Sequence, residues 1–415
     1  MGTNEVGGVS ENIKANQDLI MKKVVLAFSG GLDTSYCAIH LAKEKGYEVF
    51  TAAVNTGGFD ELEQKELAQK AADLGIENHI CIDVEEEFYE KGIKYLLFGN
   101  VLKNHTYPLS VSAERVFQAV AIAEYAKKIG ADAIAHGSTG AGNDQVRFDL
   151  IFNILAPEIE IITPIRDMKL SREEEVEFLK SHGVAKEWEK AKYSINKGLW
   201  GTSVGGAETL TSHKTLPEEA WPTKVVHADE LTVKLNFQKG ELIGIDGEKL
   251  DQVSAIKKLQ EIAQPYGIGR DIHVGDTIIG IKGRVGFEAA APMIMIKAHQ
   301  LLEKHVLGKW QLYWKDQLGE WYGMLMHEGQ FLDPVMRDIE AFLENTQQKV
   351  TGNVLVKLES KRFELIGIES EFDLMQSKHG QYGEMNQGWS GEDVKGFTKI
   401  LANATLIQQS VQNND

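Results

Sequence analysis

A short apolar run, Val24 to Phe28, leads without a break into Ser29-Gly30-Gly31-Leu32-Asp33-Thr34-Ser35 and then into a helix-like segment reaching Lys45. Buried strand, glycine turn, helix: that order confines the chain to an α/β fold with a ligand-binding loop at a strand's carboxyl end. Two glycines can take positive φ and bring the backbone close to a ligand. The helix that follows offers unpaired N–H groups and the positive end of its dipole, so an anion belongs there. Ser29, Thr34 and Ser35 add hydroxyls for phosphate oxygens, while Asp33, acidic at an anion site, suits holding the loop or a magnesium ion.

The alternation continues. Val49 to Val54, Asn78 to Val84 and Ala131 to His136 are further short apolar runs, separated by helical segments Glu61 to Leu74 and Ala113 to Ile129. Runs so short and apolar are strands buried on both faces, and their order predicts a doubly wound parallel sheet with ligands beyond the carboxyl ends of its strands. Ser29, Asn55 and Gly137 stand at those ends. Ser171 and Glu174 are spaced as a capping box for a helix to His182. A polar, Gly-rich stretch from Ser194 to Gly206 then breaks the pattern, which puts a domain boundary near Glu187. Beyond it, strand pairs flank Lys239-Gly240 and Ser360-Lys361-Arg362 and alternate with helices at Val253 to Ala263 and Met293 to Leu307, an α+β grammar. Val394 to Val411 reads as an amphipathic helix, either packed on its own domain or reaching another subunit. The expected organisation is an extension over residues 1–21, a nucleotide-binding domain over 22–187, an α+β domain over 188–390 and a C-terminal helical arm over 391–415.

At 415 residues the chain is too long for a single core. Its net charge of −17 argues against a polyanionic partner such as tRNA or DNA. Cys37 and Cys81 are the only cysteines, giving neither a disulfide framework nor a zinc spacing and suggesting a reducing, cytoplasmic setting. Cys37 reads as a small buried residue between helix and sheet. No apolar run approaches the roughly 20 residues of a membrane span.

A second dense patch runs from His136 through Gly137-Ser138-Thr139-Gly140-Ala141-Gly142-Asn143-Asp144 to Arg147. Three glycines and two hydroxyls make another backbone cradle. Arg147 offers a fork for a carboxylate or phosphate, and Asp144, accepting only when ionised, suits an ammonium or a ureido N–H. Together they describe an amino-acid site beside a nucleotide site. No Ser/His/Asp or Cys/His arrangement points to a covalent intermediate.

The first loop is not a Walker A sequence and resembles the pyrophosphate loop of the ATP-pyrophosphatase superfamily, which implies adenylation of a substrate. The second patch, the segment Tyr107 to Arg115, and Tyr193-Ser194-Ile195-Asn196 with Leu199-Trp200-Gly201-Thr202-Ser203 resemble the argininosuccinate synthase family, from Lys23 to about Ser390. What the resemblance implies is ligation of citrulline and aspartate with ATP, through a citrullyl-adenylate, releasing AMP and pyrophosphate, in a homotetramer using Mg2+. Carried over, Ala27, Phe28, Ser29, Gly30, Gly31, Leu32, Asp33, Thr34 and Ser35 hold the ATP phosphates, and Val54 with Gly137, Ser138 and Thr139 borders the nucleotide. Thr139, Asn143 and Asp144 match aspartate ligands. Tyr107, Ser112, Asn143, Arg147, Ser194 and Ser203 match citrulline ligands. Asp33, Asp144 and Arg147 are the expected catalytic groups.

Three positions depart from the family pattern. Ala141 stands where many members carry Lys; Gly275 and Phe287 stand where a Glu for the citrulline ammonium and a Tyr are usual. The expectation is that Asp276, one residue along, substitutes for the acid, with Glu288 as the other candidate. A tRNA-thiolating relative would want reactive cysteines and a basic face, and a nucleotide sensor has no use for Asn143, Asp144 and Arg147.

Overall fold

The computed structural model describes residues 21–184, 188, 192–385 and 387–412; the expected boundary at Glu187 and the extension over residues 1–20 lie outside them. The chain groups into two compact units. The first takes the residues up to Val84, those from Arg115 to Ala191, and the three-residue segment Thr277–Ile279; the second takes Glu85–Glu114, Lys192–Asp276 and Gly280 onward.

In the first unit, β1 (Lys23–Ala27), α1 (Leu32–Ile39), β2 (Glu48–Asn55), α2 (Glu61–Asp73) and β3 (Asn78–Asp83) follow one another as the apolar runs predict. Two short helices, α3 (Glu85–Phe88) and α4 (Lys94–Phe98), group with the second unit. The chain continues in α5 (Ser112–Ile129), β4 (Ala133–Ala135), α6 (Asp144–Leu155), β5 (Glu160–Ile162), α7 (Pro164–Met168) and α8 (Arg172–Ser181). The strands form one sheet in the order β3-β2-β1-β4-β5, every neighbouring pair parallel. The order reverses between β1 and β4. Connections from those two strands leave in opposite directions, which opens a crevice at their carboxyl ends. Val24, Leu26, Phe28, Leu32, Cys37, Leu41 and Leu179 share one core that clamps α1 and α8 onto the sheet. Cys37 is fully buried there, and burial followed by the nearby Asp33 pushes its thiol well up, away from nucleophile chemistry.

The second unit holds two antiparallel sheets. One runs in the order β11 (Arg270–Asp276), β12 (Lys282–Glu288), β7 (Gly201–Gly205), β6 (Ser194–Gly198). The Gly-rich stretch that breaks the strand–helix alternation is the β6–β7 hairpin, with the Trp200 side chain buried at its turn and donating its indole N–H to the Pro108 carbonyl at 2.9 Å. Glycines carry no apolar alternation, so only pairing with β12 reveals it as strand. The other sheet, β10 (Glu248–Lys249), β9 (Glu241–Ile245), β8 (Leu231–Gln238), β13 (Gly352–Glu359), β14 (Arg362–Glu369), contains both expected hairpins. Helices α9 (Gln252–Ala263) and α10 (Ala290–Val306) pack against it, α11 (Lys309–His327) and α12 (Pro334–Thr346) pack on each other and on α4, and α13 (Gly391–Gln412) buries no residue.

Candidate functional site

In the first unit the two Gly-rich loops stand at the carboxyl ends of adjacent strands. Gly30 has a φ of 67°, which a side chain would strain, and a Cβ there would lie 2.8 Å from the Lys70 stem. Helix α1 has Gly31 as its N-cap and no side-chain cap, so its first N–H groups are left for a ligand. Phe28, Leu32 and Val54 bury their side chains, so toward any ligand they offer backbone only. The Ser35 hydroxyl is turned inward to the Gly31 carbonyl at 2.7 Å, bracing the loop rather than facing out. Ser29 and Thr34 pair their hydroxyls at 3.3 Å. Behind the loop, Glu175 of α8 is buried against Asp33, and burial followed by that neighbouring charge pushes its carboxyl up to about 7.

The two loops meet. A Cβ at Gly137 would sit 3.2 Å from the Asp33 backbone and Cβ, so the β4 loop closes tightly on the start of α1 and a side chain there would press it back by a few tenths of an ångström. Thr139 is exposed at the tip. Asn143 accepts the Ile278 N–H on its side-chain oxygen at 2.8 Å, which ties the returning segment Thr277–Ile279 to this unit and leaves the amide's donors for other partners. Asp144 opens α6 between two guanidiniums. It accepts from Arg147 at 2.8 Å and from Arg115 at 3.2 Å. Burial works to raise its carboxyl, but the two arginines overcome that and hold it below the usual carboxylate range. Arg115 was not singled out in the sequence; only the placement of α5 brings it to a residue 29 positions along.

In the second unit Tyr107 is buried, and its ring packs on His273 with centroids 5.1 Å apart and on Phe287 at 5.3 Å. Its hydroxyl accepts the Val111 N–H at 3.2 Å and the Ser110 hydroxyl at 3.3 Å. Leu109 between them is held at a φ of 62°, a strained conformation for a branched apolar residue. Ser203 lies directly opposite Phe287 in the β7–β12 ladder, so the two side chains share a face. Phe287 in turn faces Asp271 across the β11–β12 ladder, which puts His273 and Gly275 on that same face by strand alternation. Ser112 is buried and Ser194 exposed.

Asp276 does not join them. It points to the opposite face, exposed, and is ion-paired with Lys282 at 2.6 Å. Glu288 is on that opposite face too, buried and held by Arg270 at 2.8 Å. Neither acid is placed beside Tyr107. The residue filling the space over Gly275 is His273, whose Nε2 would be 2.6 Å from a Cβ at 275.

Among the described residues no group of three or more His, Cys, Asp or Glu forms a metal cage, and no helix is long and apolar enough to cross a membrane.

Residues 23–185 match the family model described as the arginosuccinate synthase N-terminal HUP domain, and residues 193–407 match the arginosuccinate synthase C-terminal domain. The chain is 40% identical over 363 residues to the argininosuccinate synthase of Methanocaldococcus jannaschii, covering 87% of this chain and 91% of that one. It is 35% identical to that of Sulfurisphaera tokodaii, covering 94% of this chain and all of the other, and 34% identical to that of Xylella fastidiosa, covering 95% and 98%. A strand order reversing where two glycine loops meet, and relatives matched from end to end, agree: this chain belongs to the argininosuccinate synthase family, ligases of arginine biosynthesis.

Proposed function

We propose that the Gly-rich loops of the first unit bind ATP and receive aspartate, and that residues of the buried face around Tyr107 in the second unit are citrulline ligands. The ligation itself, citrulline and aspartate joined to argininosuccinate at the expense of ATP, is the activity of the family to which the chain belongs. The observation that carries the division of roles is the meeting of Gly137 with Asp33. It sets the phosphate loop beside the helix that bears Asp144 and Arg147.

The chemistry asks mostly for positioning. A ureido oxygen is a weak nucleophile, so it must be held in line with the α-phosphorus while charge on the departing pyrophosphate is neutralised. The uncapped N–H groups of α1 suit that charge. Arg147, ion-paired with Asp144, is the group for the citrulline carboxylate, and Asp144 with Asn143 and Thr139 receives aspartate. Displacement then forms the new C–N bond as the C–O bond to AMP breaks. Mg2+, entering with the nucleotide, would supply further neutralisation; with no cage of three ligands among the described residues, the phosphates would hold it, with Asp33 as the loop's own carboxylate. The uncovered apolar positions of α13, Phe397, Ile400, Leu401 and Ile407 among them, support assembly of copies of this chain, as in a homotetramer, and a metabolic ligase of this kind fits the cytoplasm.

The test is pyrophosphate release from MgATP with citrulline and aspartate each omitted. Release that requires citrulline, with AMP and argininosuccinate appearing once aspartate is added, supports the assignment. Release driven by another amino acid, or none with citrulline, would overturn it.

A further inference from the structure

One guanidinium holds both ends of the loop between β4 and α6. Arg166, on α7, donates to Asp149 at 2.6 Å. Asp149 in turn accepts from His136 Nε2 at 2.8 Å, and His136 Nδ1 receives the Ser138 N–H at 3.2 Å. The same Arg166 Nη1 reaches the Gln145 side-chain oxygen at 3.4 Å, and Gln145 donates to the Gly142 carbonyl at 3.2 Å. The loop therefore begins on a histidine and ends on a glutamine that share one cation, and Gly140 lies over the Arg166 stem between them.

The protonation pattern follows from the donors. A backbone N–H can only donate, so Nδ1 must carry a lone pair, and the single proton of a neutral ring sits on Nε2, aimed at Asp149. Asp149 stays ionised: burial works to raise it, but its bonds to His136 and Arg166 hold it below the usual range. The ring is 1% exposed and stacked on Phe148 at 5.5 Å, so no side of it is open to a nucleotide. His136 shapes the loop without touching what the loop binds.

We propose that Arg166, acting through Asp149 with His136 and through Gln145, is a positioning residue for the nucleotide and aspartate subsites, and that it has no part in holding citrulline. This rests on the reading of Gly137 to Asp144 as the nucleotide and aspartate cradle. The groups facing the imidazole are Asp149 from α6 and, beyond it, Arg166 from α7, with Asp33 of α1 against the neighbouring Gly137. Protonating Nδ1 would cancel the bond from Ser138.

Two readouts test it on the full-length enzyme. Hydrogen exchange of the peptide covering residues 137–143 reports the clamp whatever the reaction is. In His136→Leu and Arg166→Leu that peptide is expected to exchange at least tenfold faster, while in His136→Asn, whose side-chain oxygen can take the Ser138 N–H in an Asx turn, it stays within about threefold of wild type. Steady-state kinetics report the role. The KM values for ATP and aspartate rise at least tenfold in both leucine variants, the citrulline KM moves less than twofold, and His136→Asn recovers most of the loss. Unchanged exchange, an equal rise in all three KM values, or an asparagine variant no better than leucine would overturn the proposal. Should the leucine variants fail to fold, Arg166→Lys carries the test: one ammonium cannot serve both Asp149 and Gln145, so the aspartate KM rises and an unchanged value refutes it. A wild-type enzyme that exchanges as expected but shows no citrulline-dependent reaction would count against the functional assignment alone.

Discussion

Arg147 donates to Asp144 across one turn of α6 at 2.8 Å, so the group assigned to citrulline and the group assigned to aspartate are parts of one ion pair. Neither can be changed without loosening the other. Arg115 is the second anchor, and its removal is the cleaner probe because it leaves Arg147 in place.

Asp144→Asn is expected to leave ATP binding nearly intact while slowing argininosuccinate formation by two orders of magnitude or more, since in the proposed assignment the ionised carboxylate receives the aspartate amine, and it also fixes Arg147. Loss of nucleotide affinity in a direct binding measurement would put Asp144 in the wrong subsite.

Arg115→Ala is expected to move the acid limb of kcat/KM for aspartate to higher pH. In the wild type, burial is outweighed by Arg115 and Arg147 and the Asp144 carboxyl is held low, so the ionised form persists into acid. Its contribution to stability is likewise present above the ordinary carboxylate range and lost as pH falls through the lowered folded value. Removing one arginine raises that value, and ionisation is lost earlier as pH falls. A profile unchanged in position would mean that Asp144 is not the group titrating.

Glu175 has the opposite sign. Burial, followed by Asp33, pushes its carboxyl from the ordinary 4.5 up to about 7, so between those values the folded protein binds a proton that the unfolded chain has released. Stability therefore falls as pH rises from about 5 to 7 and levels off above. Glu175→Gln removes the penalty. Its melting temperature should exceed wild type by a margin that grows from pH 5 to 7 and is constant at 8. A margin independent of pH would show that Glu175 does not take up the proton.

Gly319 on α11 marks a backbone-to-backbone crossing, because a Cβ there would run into the Gly99 carbonyl oxygen and carbon. The same helix face sends Lys315, fully buried, to the Phe98 carbonyl at 2.6 Å and to Glu303 at 2.9 Å, so α11 cannot shift to make room without breaking a buried ion pair. Gly319→Ala is expected to cost about 1–3 kcal/mol in denaturant unfolding. Gly367→Ala, with nothing within 4 Å of its Cβ and an ordinary φ, is the control and should change stability little.

The phosphate loop and the second cluster were legible in the sequence because everything that defines them is local: a buried run, glycines at a turn, a helix start. The short apolar runs put Gly137 at a strand's carboxyl end, while its meeting with Asp33 rests on a strand order that only pairing fixes. What was not legible depends on pairing over distance. Arg115 reaches Asp144 only through the placement of α5, and the segment Thr277–Ile279 returns to the first unit with the Ile278 N–H on the Asn143 side chain, a contact that no periodicity announces. Strand parity puts Asp276 on the face away from Tyr107. Proximity in sequence to Gly275 suggested a substitute, but in β11 adjacent residues face opposite ways, and the residue that shares the face of Gly275 is His273.

His273 is buried with its Nδ1 lacking a hydrogen-bond partner among the described residues, and burial, followed by Lys103, pushes the ring's ionisation down, so it is neutral at pH 7. An unpaired buried nitrogen costs about 1–3 kcal/mol, and phenylalanine of similar shape would not bear that cost. His273→Phe should therefore raise the melting temperature. The ring also props Tyr107, assigned to citrulline, and Gly275 is what gives the imidazole room: a Cβ at 275 would push Nε2 toward that stack. Gly275→Ala and His273→Phe should each raise the citrulline KM severalfold with the ATP KM unchanged, and the double variant should fall short of the product of the two, since both act on one ring. Asp276→Ala, on the other face, should leave citrulline binding as it is. A citrulline KM that ignores His273 and Gly275 but responds to Asp276 would move the amino-acid subsite to the opposite side of β11.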